Sequence, residues 1–178
     1  EVDPILGPEM RSTGEVLGLS QFYGEAFFKA QEATQTKLPH GGTVLITVNN
    51  KDKEEMIEVA RDLKQAGFKI LATKGTQKAL ADADIVSEFV YKLNEGRPNI
   101  IDFMTNGKID LLINTPASAN EHIDDSDLRK TAIKKKVPYI TTIAAAKATA
   151  DGIKSMSLPG CGVVKSLQEL HAEITDKE

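Results

Sequence analysis

The 178-residue chain contains a single cysteine, Cys161. It can therefore form no internal disulfide, which suits a reducing compartment. No apolar run approaches the roughly 18 residues needed to cross a bilayer, and no signal-peptide pattern is visible. A cytoplasmic location with no membrane partner is expected. There is no basic excess: 22 Lys and Arg face 26 Asp and Glu, a net charge of −4. Bulk electrostatics thus disfavour nucleic acid, and any anion site has to be local. The one basic run, Lys134-Lys135-Lys136, is too short for nucleic acid and suits the end of a helix. His40, His122 and His171 are scattered and make no metal or catalytic set, so no metal site is expected. No G-x-G-x-x-G follows the first strand, which excludes a dinucleotide fingerprint. No internal repeat or low-complexity tract is present.

What is there begins with a loop-like stretch, residues 1–18, rich in Pro and Gly yet carrying Asp3, Glu9, Arg11 and Glu15. It has neither strand alternation nor helical period, and it is expected to be the tail of a preceding domain in a larger protein. Residues 19–42 are expected to be a helix and linker. The helix runs from Ser20 to Gln31, with Phe22, Tyr23, Ala26, Phe27 and Ala30 as its apolar face. From residue 43 to 178 the pattern is one of strand–helix units.

Val44–Val48 is a buried strand, followed by a helix capped by Asp52 and ended by Gly67. Met56, Ile57, Val59, Ala60 and Leu63 form that helix's core side. Phe68–Ala72, Ile85–Val90, Ile109–Ile113 and Pro138–Thr141 are the remaining strands. Helices are expected over Thr76–Ala83, Pro98–Asn106, Asp124–Lys136, Ile143–Lys154 and Ser166–Ile174. Strands alternating with helices predict an α/β fold: a parallel five-stranded sheet in a three-layer α/β/α arrangement.

Ligands of such sheets bind beyond the carboxyl ends of the strands. Thr73-Lys74-Gly75-Thr76 sits between a strand and a helix, with two hydroxyls flanking a glycine that permits close approach. Backbone N–H groups at that helix start suit a phosphate. Lys53 and Lys92 can converge there from neighbouring loops, and Asn114 can donate to or accept from a sugar or base.

These residues carry a family resemblance. The run Asp3-Pro4-Ile5-Leu6-Gly7-Pro8-Glu9-Met10-Arg11-Ser12-Thr13-Gly14-Glu15-Val16 resembles the end of the second ATP-grasp unit in the large subunit of carbamoyl phosphate synthetase, where it leads into a C-terminal regulatory domain of methylglyoxal-synthase-like fold. Lys53, Thr73, Thr76, Lys92 and Asn114 match that domain's nucleotide-phosphate residues in order and spacing. Asn94-Glu95-Gly96-Arg97-Pro98, Leu112-Ile113-Asn114-Thr115, Tyr139-Ile140-Thr141-Thr142 and Gln168-Glu169-Leu170-His171-Ala172 match as well.

The resemblance implies an allosteric domain that binds a UMP- or IMP-type effector and needs no cofactor of its own. It implies a parent enzyme that uses ATP, Mg and K to make carbamoyl phosphate for pyrimidine and arginine synthesis. A glutaminase small subunit and the rest of the large subunit would be its partners, with homo-oligomer contacts. Thr47 stands where relatives have a hydroxyl near the phosphate, and Asp124 matches an acidic residue near the base. Leu6, Tyr139 and Thr141 match ornithine-side positions, whose acidic partners would lie upstream of Glu1. Pro116 departs from relatives that have a phosphate-binding Thr there. Some domains answering to N-acetylglutamate also have Pro, so the effector's identity stays open.

Two rival readings accompany this one. A methylglyoxal-synthase-like lyase needs a carboxylate base. Arg97 occupies the place of that family's Asp, and only Glu95 and Asp102 are near. A structural or oligomerisation domain with a vestigial site is the other rival; Lys53, Thr73, Thr76 and Lys92 in register argue against it.

Overall fold

A computed structural model describes residues 16–34, 37–115, 122–158, 162–163 and 165–175. Five strands form one sheet: β1 (Thr43–Val48), β2 (Lys69–Ala72), β3 (Glu88–Phe89), β4 (Leu111–Thr115) and β5 (Tyr139–Ile140). Their order is β3-β2-β1-β4-β5, and every pairing is parallel. Alternation along these strands builds two cores, because successive side chains leave a strand on opposite faces. Val44, Ile46, Ile70, Ala72, Leu111 and Ile113 point one way and pack with Met56, Leu63 and Ala146. Leu45, Leu71 and Leu112 point the other way and pack with Ile100, Met104, Leu128 and Ala132.

The helices supplying the first layer are α2 (Lys53–Gln65), α3 (Lys74–Ala81) and α6 (Ile143–Ser155). The second layer is α4 (Ile100–Thr105) and α5 (His122–Lys135). The fold is thus the three-layer α/β/α class expected. Two ion pairs bind α6 to α2, Lys147 Nζ to Glu55 Oε2 at 2.6 Å and Lys154 Nζ to Asp62 Oδ1 at 3.2 Å. The Glu55 carboxylate holds the Lys147 ammonium above its ordinary pKa. The terminal helix α7 (Leu167–Thr175) opens on the expected cap pair, with Ser166 N donating to Glu169 Oε2 at 2.7 Å and Glu169 N to Ser166 Oγ at 3.2 Å.

Helix α1 (Tyr23–Glu32) corrects the expected apolar face. Phe22 and Tyr23 are exposed, while Phe28 and Glu25 are buried. The reason is a close crossing with α6 at two glycines. A Cβ on Gly24 would lie 2.9 Å from the Asp151 carbonyl carbon and oxygen, and one on Gly152 would lie 3.1 Å from the Gly24 carbonyl oxygen. Gly24 and, one turn on, Phe28 define the contact side. Gly24→Ala forces backbone apart at this crossing. It is expected to cost about 1–3 kcal/mol, the usual range for overpacking, read as a lowered urea midpoint at unchanged slope.

Glu25 is the hub of a clamp on the arm preceding α1. Ser20 Oγ donates to its Oε2 at 2.6 Å, Gly162 N to its Oε1 at 3.0 Å, and Lys29 Nζ lies 2.9 Å from Oε1. Lys29 Nζ also donates to Val163 O at 3.2 Å. The Ser20 hydroxyl and then the Lys29 ammonium hold the Glu25 carboxyl down at about 2.

Two further expectations change. The third strand is two residues rather than six: Asp84 takes positive φ, Ile85 N bonds back to Leu80 O, and only Glu88 and Phe89 reach register with Leu71 and Ala72. Asp52 does not cap α2. Asn49 opens a short 3-10 turn over Asn50–Asp52, its side chain accepting from Lys51 N and Asp52 N.

Candidate anion-binding site

The sheet reverses its winding between β1 and β4, which opens a crevice at their carboxyl ends. Period two fixes what faces it. Thr47 lies two residues beyond Leu45, Thr73 two beyond Leu71, and Asn114 two beyond Leu112. All three therefore continue the sheet face covered by α4 and α5. In register, Thr47 pairs with Asn114 and Val48 with Thr115.

The hydroxyls form a short chain. Thr73 Oγ1 donates to Thr47 Oγ1 at 3.1 Å, and Val48 N donates to Thr76 Oγ1 at 3.2 Å. Thr47, Thr73 and Thr76 are all buried, as is Asn114. A hydroxyl has one proton to give. Thr47 and Thr76 each accept from within the protein and keep that proton for another acceptor. Thr73 is the N-cap of α3, but its side chain makes no cap bond to the helix. The hydroxyl is turned into the sheet edge, and the helix start is left to another group.

Lys53 supplies the charge. The Asn49 turn delivers it as the first residue of α2, half-buried, with its Nζ 3.1 Å from where a Gly75 Cβ would stand. Among the described residues no carboxylate pairs with Lys53. A cation beside the positive end of α3, itself opening α2, is unfavourable at both helix starts. An anion beside Lys53 and the start of α3 would relieve both, and at Gly75 no side chain stands over that helix start.

Lys92 reaches the same neighbourhood from the loop after β3. It lines a groove with Gly75, and its backbone N–H donates to Glu95 Oε2 at 3.2 Å. Lys53, Thr47, Thr73, Thr76 and Asn114 thus stand at the carboxyl edge of the sheet, and Lys92 lines the groove that passes Gly75. Thr141 follows β5 and makes no hydrogen bond to this set among the described residues. Asp124 falls in the first turn of α5 rather than at its cap, and its side chain lies outside the described residues, as do Leu6 and Pro116.

One participant, Asn49, escaped sequence reasoning, and another, Tyr139, was expected elsewhere. Asn49 is buried; its N–H donates to Thr115 Oγ1 at 3.1 Å and its amide to Asp52 Oδ2 at 2.6 Å, which braces the turn presenting Lys53. The Asn-Asn-Lys-Asp sequence directly after a strand is the signal for such an Asx turn. Tyr139, expected on the ornithine side, hydrogen-bonds a residue expected on the phosphate side: Asn114 Nδ2 donates to its Oη at 2.8 Å. Because Tyr139 pairs with Leu112, its ring reaches diagonally to Asn114 two residues on. Tyr139→Phe is expected to weaken phosphate-ester binding about fivefold, one neutral hydrogen bond's worth, and, by removing the acceptor of the buried Asn114 amide, to lower the thermal midpoint as well. Unaltered affinity in a titration would remove Tyr139 from the site.

The carboxylates a lyase would need are engaged otherwise. Asp102 Oδ2 accepts from Asn99 N at 3.0 Å and Asn99 Oδ1 from Asp102 N at 3.1 Å, a capping box for α4. Glu95 holds Lys92's own loop.

A family model described as an MGS-like domain matches residues 55–141. The chain is also similar to the carbamoyl phosphate synthase large chain of Methanosarcina mazei, at 44% identity over 176 residues, 99% of this chain and 16% of that one. The C-terminal section of the same large chain in Methanopyrus kandleri is 46% identical over 171 residues, covering 96% and 31%. Its counterpart in Aquifex aeolicus is 43% identical over 175 residues, covering 96% and 33%. The chain spans about a sixth to a third of the length of these relatives.

Proposed function

We propose that this chain, a member of the MGS-like domain family by the match over residues 55–141, is the effector-binding region of a carbamoyl phosphate synthase large chain. Its ligand is a phosphate ester of the UMP or IMP type. The observation that carries this reading is Lys53: an ammonium without a carboxylate partner among the described residues, held against a helix start whose residue 75 is glycine. The phosphate lies against Lys53 and the α3 backbone, with Thr47, Thr73 and Thr76 below it and Lys92 and Asn114 at its flanks.

In this reading residues 1–18 are the tail of the preceding catalytic unit, 19–42 a helix and connector, and 43–178 the regulatory domain. The parent enzyme joins bicarbonate and glutamine-derived ammonia at the expense of ATP, with Mg and K, for pyrimidine and arginine synthesis in the cytoplasm. A glutaminase small subunit is its partner. The chain here does not perform that chemistry. Effector binding shifts the parent between two states by a coupling of roughly 1–3 kcal/mol, the common size for such effects. Leu6, Tyr139 and Thr141 belong to an ornithine side, with Tyr139 also reaching the phosphate seat through its hydrogen bond with Asn114. The lyase reading gains no observation, since Glu95 and Asp102 both serve local structure.

Calorimetric titration with UMP, then IMP, tests the proposal. Saturable binding that disappears in Lys53→Met supports it. A folded chain that binds neither, nor inorganic phosphate, contradicts it.

A further inference from the structure

The last two residues of β4 leave the sheet on opposite faces. Asn114 continues the side of Leu112, which α4 and α5 cover. Thr115 continues the side of Leu111 and Ile113, which α2 and α6 cover. Thr115 is buried there, and its hydroxyl meets the Asn49 turn. Thr115 Oγ1 accepts from the Asn49 N–H at 3.1 Å and from Asn49 Nδ2 at 3.3 Å.

The rest of the Asn49 amide is engaged within the turn. Its Oδ1 accepts from Lys51 N at 3.0 Å and from Asp52 N at 3.1 Å, and Nδ2 also donates to Asp52 Oδ2 at 2.6 Å. An Asn amide has two donor and two acceptor positions, and here every one is filled. A buried polar network satisfied in this way is rigid and fixes one arrangement.

What the arrangement fixes is the base of Lys53. Asn49 directly follows β1, and Lys53 opens α2 just beyond the turn. The ammonium has to reach the start of α3, where Nζ stands 3.1 Å from the place of a Gly75 Cβ. A lysine stem is flexible, and among the described residues no carboxylate holds this one from its far end. Where the ammonium stands is therefore governed by where the turn holds the Lys53 backbone.

We propose that Thr115 and Asn49 are positioning residues: their paired hydrogen bonds lock the turn to β4 and so aim Lys53 at the start of α3. The inference rests on the reading that an effector phosphate lies against Lys53. Adjacent residues of one strand then serve the seat differently, Asn114 at the ligand's flank and Thr115 by way of Lys53.

The test is a double-mutant cycle, which asks whether two losses add. The 178-residue chain, Thr115→Val, Lys53→Met and Thr115→Val/Lys53→Met are titrated with UMP and followed by chemical shifts, which reach weak affinities. Thr115→Val keeps the shape of the side chain and removes the acceptor. It is expected to weaken binding about fivefold in the parent chain and by less than about twofold beside Lys53→Met. Thr115→Ser, which restores the hydroxyl, should bind within about twofold of the parent. Asn49→Ala breaks the same tie from its other end and is taken through the same cycle, with the same pattern expected. With binding dependent on Lys53, an equal loss in both backgrounds, no loss in either, or a Thr115→Ser chain as weak as Thr115→Val overturns the positioning role alone. UMP binding indifferent to Lys53, or absent from the folded parent chain, overturns the first reading and this one with it. Circular dichroism and thermal melts confirm that each variant is folded.

Discussion

Lys53→Met is expected to weaken binding of the proposed UMP-type effector by about 100-fold and to leave the unliganded chain as stable as before, or more so. A hydrogen bond to a charged group contributes about 1.5–3 kcal/mol, and its loss from a half-buried site lies toward the upper end. The stability half follows from helix electrostatics. Lys53 opens α2 and sits over the start of α3, where a cation costs about 0.3–1 kcal/mol at each end. Removing it relieves both. Function and stability therefore move in opposite directions, as they do where a site is kept at the fold's expense.

Thr76→Ala behaves differently, because Thr76 Oγ1 also accepts the Val48 N–H. It loses affinity and, by leaving a backbone donor unsatisfied, about 1–3 kcal/mol of stability. Titration and thermal melts of the two variants side by side read all four quantities. A Lys53→Met chain that is destabilised, with UMP affinity unchanged, would mean that the lysine serves the fold and not a ligand.

Glu25→Gln flattens the acid limb of the stability curve. The Glu25 carboxyl is held at about 2 in the folded chain, against 4.5 for an unperturbed Glu, by the Ser20 hydroxyl, Lys29 and the Gly162 N–H. A depressed carboxyl stabilises the fold fully above its unfolded value and loses that contribution as pH falls through the folded one. The window is therefore from about 4.5 down to about 2. Urea melts of parent and variant at pH 7, 5, 4 and 3 should converge as the pH drops. Curves that stay parallel would show that Glu25 has the same proton affinity folded and unfolded.

The sheet was legible because its strands are buried on both faces. Runs such as Val44-Leu45-Ile46 and Leu111-Leu112-Ile113 have no polar alternation to blur them, and the helices between them repeat at 3.6. The candidate seat was legible for a related reason. A parallel sheet brings every strand's carboxyl end to one edge, so Thr47, Thr73 and Asn114 needed only to end their strands to meet there.

What stayed hidden depends on contacts between elements distant in sequence. The buried side of α1 is chosen by where α6 approaches Gly24, and apolar counting pointed to Phe22 and Tyr23 instead. The brevity of β3 follows from the Asp84 turn. The bond from Asn114 to Tyr139 depends on the register of β5, which no local pattern reveals.

The crossing of α1 and α6 has a mechanical meaning as well. With no side chain between Gly24 and Asp151, the two helices meet backbone to backbone and have no cushion of rotamers to absorb displacement. Helix α6 is in turn bolted to α2 by Lys147–Glu55 and Lys154–Asp62, and α2 begins with Lys53. The arm before α1 is therefore tied, through α1 and its backbone contact with α6, to the helix pair α6–α2, of which α2 has Lys53 as its first residue.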